Sequence, residues 1–264
     1  MMISPLSNIH PDAKIGKDVK VDAFTSIEGD VEIGEGTWIG SNVTIFNGAR
    51  IGKNCQIFPG AVIAAIPQDL KYQGENTIAE IGDNCTIREM VTVNKGTLAL
   101  GKTSLGQNCL LMAYVHIAHD CIIGNNVILA NSVNLAGHVV IEDYAILEGY
   151  VGVSQFIKIG AHSFIAGQTG VRKNVPPYTK AAREPLSFVG VNSVGLKRRG
   201  FESATINLIQ DIYRILYNKG YSTRNAIDVI EKEIPETQVK DQIIEFIRSS
   251  DKGIMRGYTS GDDE

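Results

Sequence analysis

Aliphatic residues recur at every sixth position along most of this chain. The series runs from Ile9 to Val171, and of its 28 positions all but Asp69, Glu75 and Ala99 are Ile, Leu or Val. The residue two positions before each aliphatic is usually small or β-branched, which is typical of a short strand followed by a tight corner. A repeat of six residues predicts a parallel β-helix, in which short strands stack coil upon coil.

Glycine often follows the aliphatic residue, at positions 16, 34, 40, 52, 82, 106, 124 and 160. We interpret it as a corner residue that adopts backbone angles most residues avoid. The pattern resembles the left-handed parallel β-helix, and that resemblance implies that three hexapeptides form one triangular coil. The hand follows from the resemblance, because the period alone does not determine it.

Two polar segments interrupt the series, at residues 65–77 ("AIPQDLKYQGENT") and 94–104 ("NKGTLALGKTS"). A solenoid gains no packing from such segments, so we expect loops that reach a ligand or a neighbouring subunit, although tolerated insertions are the alternative.

Helical spacing replaces the hexapeptide period near the C-terminus. Three segments show it, around 208–216, 222–234 and 239–247. The predicted fold class is therefore all-β, a left-handed parallel β-helix over residues 1–190, with a small C-terminal α-helical domain over 191–264.

Composition narrows the range of partners. Charged residues are 20% and hydrophobic residues 44% of the chain, which is typical of a globular protein, and the net charge of -4 disfavours nucleic acid as a partner. The N-terminal segment lacks a basic stretch followed by an apolar run, and no apolar stretch is long enough to span a bilayer. We expect a cytoplasmic protein without stable membrane insertion.

The four cysteines follow the same period. Each lies two residues before an aliphatic position, at 55, 85, 109 and 121, which predicts a small inward-facing slot. We therefore expect buried structural residues rather than disulfides or metal ligands.

Candidate chemistry is concentrated in "HIAHD", residues 116–120. Ile117 belongs to the aliphatic series, so the two histidines beside it should point outward from the coil. A step of three hexapeptides places Gly137 and His138 beside His119 and Asp120 on the next coil, and Gln155 follows on the coil after that.

This ridge favours a general base over a metal site. A histidine of near-neutral pKa accepts a proton from an alcohol when a carboxylate fixes its tautomer. Zinc needs at least three ligands, and no cysteine points into the patch. Solvated surface histidines are the alternative.

Several motifs together carry a family resemblance: "HIAHD", "LAGHV", "PQDLKY" and "GLKRRGF". They resemble the acyl-carrier-protein-dependent UDP-N-acetylglucosamine O-acyltransferases that begin lipid A biosynthesis, and the resemblance covers the whole chain. It implies transfer of an (R)-3-hydroxyacyl chain from acyl carrier protein to the 3-hydroxyl of UDP-N-acetylglucosamine, without a cofactor or metal. It also implies a homotrimer with sites between subunits.

The resemblance also assigns roles to residues. His119 matches the catalytic base, Asp120 the residue that orients it, and Gly137 the backbone N–H donor for the oxyanion. Substrate-binding residues of the family match Asp69, Lys71, His116, His138, Gln155, Asn192, Arg198 and Arg199. Gly167 matches the position that measures acyl-chain length, and a glycine there leaves room for a longer chain. A solvated helix start is the alternative for the two arginines.

Two departures from the family pattern concern the nucleotide sugar. Ser154 stands where the family often has histidine, and Val194 where it often has glutamate. A 3-amino UDP-sugar therefore stays open as acceptor, as do the related N-acyltransferase activity and an acetyl-CoA-dependent sugar acetyltransferase activity.

Overall fold

The computed structural model describes residues 2–257, which form a triangular prism of short strands followed by four helices. Each side of the prism is one sheet, and successive coils pair in parallel. The first face contains Met2–Ile3, Lys20–Val21, Trp38–Ile39, Gln56–Ile57, Thr86–Ile87, Leu110–Leu111, Ile128–Leu129, Ile146–Leu147, Phe164–Ile165, Thr179–Ala182, Ser187–Val191 and Arg256–Gly257. The second face contains Asn8–Ile9, Ser26–Ile27, Thr44–Ile45, Val62–Ala65, Thr92–Asn94, His116–Ile117, Asn134–Leu135, Gly152–Val153 and Gly170–Val171. The third face contains Lys14–Ile15, Val31–Ile33, Ala49–Ile51, Ile78–Ile81, Lys102–Leu105, Ile122–Ile123, Val140–Ile141 and Lys158–Ile159. The β-helix predicted from the six-residue period is confirmed, and so is the left hand that the resemblance implies.

The core of the prism is built from the two inward columns that the sequence predicts. Ile39 and Ile117 of the aliphatic series are fully buried, and so is Val115, two positions before Ile117. The four cysteines are free and buried in the same slot. Each thiol lies 3.1–3.2 Å from a backbone carbonyl oxygen on the next coil, so the cysteines are structural, as predicted.

The interpretation of the glycines that follow the aliphatic residues is wrong. None of them has a positive φ. A Cβ added at Gly34 would lie 2.5 Å from the backbone carbon of Gly52, and one added at Gly106 would lie 2.6 Å from that of Gly124. Glycine is needed there because successive coils approach too closely for a side chain.

The left-handed residue of each such corner comes two positions later. Asn42, Asn54, Asn84, Asn108 and Asn126 all have φ between 53° and 58°. Asparagine tolerates this conformation better than most residues because its short polar side chain forms local hydrogen bonds.

Two insertions leave the numerical period intact because each adds a whole number of hexapeptides. Ile45 pairs with Ile63, three hexapeptides on, whereas Ile57 pairs with Ile87 after five and Val93 pairs with Ile117 after four. The first insertion forms a loop over 66–77 and the second over 95–101, so both are shorter than the segments that break the pattern.

The four helices pack on the C-terminal end of the prism. The three predicted helices are α2 (Ser203–Asn218), α3 (Thr223–Glu233) and α4 (Gln238–Arg248), and a short helix, α1 (Ser193–Arg198), precedes them. They enclose a second apolar core that includes Tyr213. The division of the chain at residue 190 stays a prediction, because the last described strand returns to the first face. Within residues 2–257, no helix has the length and apolarity needed to cross a bilayer.

Substituting Gly106→Ala should lower the thermal midpoint of unfolding, because its Cβ would overlap the backbone of Gly124. Overpacking of this kind costs about 1–3 kcal/mol. The control is Gly152→Ala, since a Cβ there meets no atom within 4 Å. Calorimetry at equal protein concentration compares the two, and equal midpoints would contradict the close-packing explanation.

Candidate active site

The "HIAHD" segment forms the corner between the second and third faces. His116–Ile117 is a strand of the second face, and the chain then turns through Ala118, His119 and Asp120. Asp120 has φ 58° and so takes the left-handed position of this corner, where asparagine or aspartate is favoured. We name this corner, with Gly137 and His138 on the next coil, the catalytic corner.

The carboxylate of Asp120 is fully buried beneath the second loop. Its Oδ1 accepts hydrogen bonds from the backbone N–H groups of Thr97 at 3.0 Å and Leu100 at 3.2 Å. Its Oδ2 accepts from the Thr97 hydroxyl at 2.7 Å and lies 2.8 Å from Nδ1 of His119. Burial by itself would raise the pKa of Asp120, but the donors on Thr97 and His119 outweigh it and hold the pKa below its ordinary value.

His119 is oriented by this carboxylate. Because Asp120 accepts at Nδ1, the neutral imidazole carries its proton there and keeps its lone pair on Nε2. Nε2 lies 4.0 Å from a carboxylate oxygen of Asp69, which extends from the first loop. The side chain points outward from the coil, as predicted, yet only 5% of the residue is exposed because it is covered. A side chain that the six-residue period turns outward from the coil can therefore still be shielded from solvent.

Gly137 lies directly against the imidazole on the next coil. A Cβ at this position would be 2.6 Å from Cε1 and 2.7 Å from Nε2 of His119. Any side chain there would displace the ring, so the glycine makes room for the histidine. Within residues 2–257, no backbone hydrogen bond uses the N–H of Gly137.

His138 completes the catalytic corner. Its Nε2 lies 3.7 Å from Oδ2 of Asp120, and its ring meets the His119 ring edge to face at 5.2 Å. On its other side it stacks on Phe156 at 4.6 Å. Sequence reasoning selected the neighbouring, exposed Gln155 and missed Phe156, although a step of three hexapeptides from His138 leads to it.

His116 begins a shallow groove on the second face. Its Nδ1 lies 2.7 Å from the hydroxyl of Thr92, and burial lowers its pKa. The groove has a volume of about 530 Å³ and extends over Ala136, Gly152 and Gly170. Thr92 and Thr97 were not selected from the sequence, since single threonines in strands and loops carry no distinguishing pattern.

The remaining residues of the sequence-based set lie apart from His119. Lys71 is exposed on the first loop, and its N–H donates to Asp69. Gly167 lies near the corner between the first and second faces, and its N–H donates to Glu148 at 3.0 Å. A Cβ at Gly167 would meet the carbonyl oxygen of Gly149 at 3.1 Å.

Asn192, Arg198 and Arg199 lie beside a different corner, the one between the third and first faces. Asn192 is buried and caps α1, and its amide also donates to the carbonyl of His162 at 2.9 Å. The Arg199 guanidinium lies over the ring of Tyr144, and Arg198 is exposed. We name the corner that carries Tyr144 and His162 the arginine corner. Within a single chain, the arginine corner and His119 lie at different corners of the prism.

One trio at the catalytic corner has metal-ligating residue types. Ligand atoms of His119, Asp120 and His138 lie within 4.8 Å of one another. The oxygens of Asp120 already accept three hydrogen bonds from the second loop, and Nδ1 of His119 faces the same carboxylate. A metal bound here would have to displace these hydrogen-bond donors from Asp120, whereas an acid–base pair of His119 and Asp120 keeps all of them.

Comparisons with known proteins identify what the chain resembles. Residues 12–47 and 102–137 match the family described as "Bacterial transferase hexapeptide (six repeats)", and residues 174–255 match "Udp N-acetylglucosamine O-acyltransferase; Domain 2".

Curated relatives and solved structures agree with these matches. An acyl-[acyl-carrier-protein]–UDP-N-acetylglucosamine O-acyltransferase of Paracidovorax citrulli is 50% identical over 199 residues, covering 74% of this chain and 76% of its own. The enzyme of the same name from Thiobacillus denitrificans is 39% identical over 96% of this chain and 99% of its own. The structure of a UDP-N-acetylglucosamine acyltransferase from Bacteroides fragilis superposes with a TM-score of 0.95 at 48% identity, covering 97% of this chain and 100% of its own.

Substituting Thr97→Val should raise the pKa of Asp120, because it removes the hydroxyl that donates to the ionised carboxylate. The hydrogen bonds favour the charged form, so their stabilisation is present above the ordinary carboxyl pKa and is lost as pH falls through the lowered one. Carboxyl NMR titration of Asp120 measures the change. Thr97→Ser keeps the hydroxyl and should keep the low pKa, and equal titration of all three proteins would contradict this role.

Proposed function

Because this chain belongs to the UDP-N-acetylglucosamine O-acyltransferase family, we propose that it transfers an (R)-3-hydroxyacyl chain from acyl carrier protein to the 3-hydroxyl of UDP-N-acetylglucosamine, the first step of lipid A biosynthesis. The observation that carries the proposal is the buried pair of Asp120 and His119 packed against Gly137. The proposed location is the cytoplasm.

In this proposal His119 is the general base. Its Nε2 takes the proton of the sugar 3-hydroxyl while the oxygen attacks the thioester carbonyl of the donor. The ionised Asp120 stabilises the imidazolium that forms and fixes the ring. When the tetrahedral intermediate collapses, the C–S bond breaks and His119 returns the proton to the thiolate of the carrier. General base catalysis of this kind contributes about 10²- to 10⁴-fold.

Gly137 supplies the oxyanion donor in this mechanism. Its N–H has no backbone partner within residues 2–257, and its lack of a side chain leaves room beside the His119 ring. Such a donor contributes about 10²- to 10³-fold where it has been measured.

The other residues are proposed to bind substrate. Asp69 and Lys71 on the first loop hold the sugar and phosphate, and His116, His138 and Gln155 contact the nucleotide sugar. The acyl chain is proposed to lie across the groove on the second face, where Gly152 and Gly170 contribute no side chains. Gly167 then lies beyond the far side of that groove, where it sets chain length.

We propose a homotrimer whose sites lie between subunits. Asn192, Arg198 and Arg199 can contribute only if the arginine corner of one copy meets the catalytic corner of another. A cyclic arrangement of three copies forms three such contacts and closes. The two loops beside His119 also expose Ile66, Leu70, Leu98 and Leu100, an apolar surface that a second copy would cover.

Mixing two variants tests the shared site. His119→Ala and Arg199→Ala proteins should each be weakly active below saturating nucleotide sugar. When the two are unfolded together and reassembled, some interfaces combine an intact His119 with an intact Arg199. Random assembly should restore roughly a quarter of the sites. A mixture no more active than the average of its components would contradict a site shared between copies.

A transfer assay tests the reaction itself. Purified protein, 3-hydroxyacyl carrier protein and UDP-N-acetylglucosamine should give the O-acylated product, and His119→Ala should lower kcat by about 10²-fold or more. In parallel reactions, the 3-amino UDP-sugar replaces UDP-N-acetylglucosamine as acceptor, or acetyl-CoA replaces the acylated carrier protein as donor. The proposal fails if wild type makes no product or if the variant retains full activity.

Varying the donor tests the chain-length role of Gly167. Wild type should accept a donor of fourteen or more carbons, because glycine leaves the end of the path open. Gly167→Met should shift preference toward shorter donors, since the side chain would occupy that space. A wild-type preference for ten carbons over fourteen would contradict this role, as would an unchanged ranking in the variant.

A further inference from the structure

The arginine corner carries a continuous stack of rings. Tyr144, His162 and Tyr178 take the corner position of successive coils with φ between 57° and 66°. His162 stacks between the two tyrosines, with ring centroids at 4.8 and 5.6 Å, and Phe201 meets it edge on at 5.0 Å. The four preceding coils place asparagine at this position, so the aromatic residues are a local change where the arginine approaches.

Unlike half of the chain's ten arginines, Arg199 has no carboxylate beside it in the part of the chain that the structure describes. Five others each lie within 3.0 Å of a carboxylate oxygen, namely Arg50, Arg88, Arg172, Arg214 and Arg248. For Arg199, the structure of residues 2–257 places no carboxylate within salt-bridge distance. Its guanidinium carbon lies 5.4 Å from the centre of the neutral Tyr144 ring instead.

This arrangement is costly for a chain on its own. Arg199 is partly covered, and burial lowers its pKa. A partly desolvated cation without a counter-ion loses hydration and gains little Coulomb energy in return. Cation–π attraction to Tyr144 restores only a fraction of this energy. The positive charge of Arg199 is therefore not neutralised and is available to bind an anion.

His162 is a second neutral group beside Arg199, because it stacks on the Tyr144 ring. Nδ1 of His162 and Nη1 of Arg199 are both buried, and neither has a hydrogen-bond partner among the described residues, so the two groups are not bonded to each other. Burial lowers the pKa of His162 to about 4, with the nearby Arg199 charge adding to the effect and Asp143 opposing it. The imidazole is therefore neutral at physiological pH, so it leaves the charge of Arg199 uncancelled and Nη1 free to donate to a ligand.

We propose that Tyr144 and His162 are positioning residues that hold the Arg199 guanidinium without neutralising it, so that it binds the diphosphate of the nucleotide sugar at the catalytic corner of a neighbouring copy. The inference rests on the proposed function. A carboxylate in place of His162 would hold the arginine more firmly but would cancel its charge. Guanidinium groups with free donors bind phosphate oxygens through charge-assisted hydrogen bonds.

Substitutions at His162 test whether a neutral residue is needed beside the Arg199 guanidinium. His162→Asp should raise KM for UDP-N-acetylglucosamine about tenfold or more with kcat at saturation little changed, since one lost charged hydrogen bond has that size. His162→Asn is uncharged, like the neutral imidazole, and suits the left-handed corner, so its KM should stay near the wild-type value. Asn108→Asp adds the same charge at the same corner position two coils before Tyr144 and should leave KM unchanged.

A second pair of variants tests Tyr144. Tyr144→Leu should raise KM about threefold by removing the ring beneath the cation, whereas Tyr144→Phe keeps the ring and should keep KM. Calorimetric titration of each assembled protein with UDP gives a readout that does not depend on turnover, and thermal unfolding and size-exclusion chromatography confirm the fold and assembly.

The outcomes separate the two proposals. If wild type turns over UDP-N-acetylglucosamine but His162→Asp matches Asn108→Asp in KM and in UDP affinity, the positioning role is wrong and the proposed function stands. A fall in kcat at unchanged KM, or an Asn variant as impaired as the Asp variant, also overturns it. If wild type neither binds UDP nor turns over the sugar, the proposed function fails and this inference fails with it.

Discussion

A left-handed residue at the corners of successive coils is the constraint on which the rest of the structure depends. It bends the chain sharply enough to close a coil in three hexapeptides, and it brings the backbone of one coil within hydrogen-bonding distance of the next. Most L-residues pay about 1–2 kcal/mol for this conformation. Asparagine is therefore common at these corners, and glycine is needed where neighbouring coils touch.

Four of the residues with proposed roles occupy these same left-handed positions. Asp120 and His138 lie at the left-handed corner beside His119, and Tyr144 and His162 at the one beside Arg199. A side chain there projects from an edge of the prism, clear of the flat faces. It is also held in place, because its backbone N–H is hydrogen-bonded to the preceding coil. The fold thus presents functional groups on a stiff edge, which is what preorganised catalysis requires.

The two insertions convert an exposed edge into an enclosed site. Thr97 and Leu100 saturate one side of Asp120, and Asp69 approaches Nε2 of His119 from the other loop. Excluding water strengthens the electrostatic coupling between His119 and Asp120. The arginine corner lies elsewhere on the prism, so it could join this site only through the proposed assembly of copies.

The β-helix, its inward columns, the buried cysteines and the proximity of His119 and Asp120 to Gly137 and His138 could all be predicted from the amino-acid sequence, because strict periodicity converts residue number directly into position. Helical spacing predicted the three longer helices. The sequence reasoning misassigned the glycines after the aliphatic residues and did not reveal Thr97 or Phe156. It also could not distinguish an outward side chain from an exposed one. The folded structure was needed to show that His119 is buried under two loops and that Arg199 lies at another corner beside Tyr144. Loops and helices lack the six-residue period, so the contacts that they make across space are not encoded in spacing along the chain.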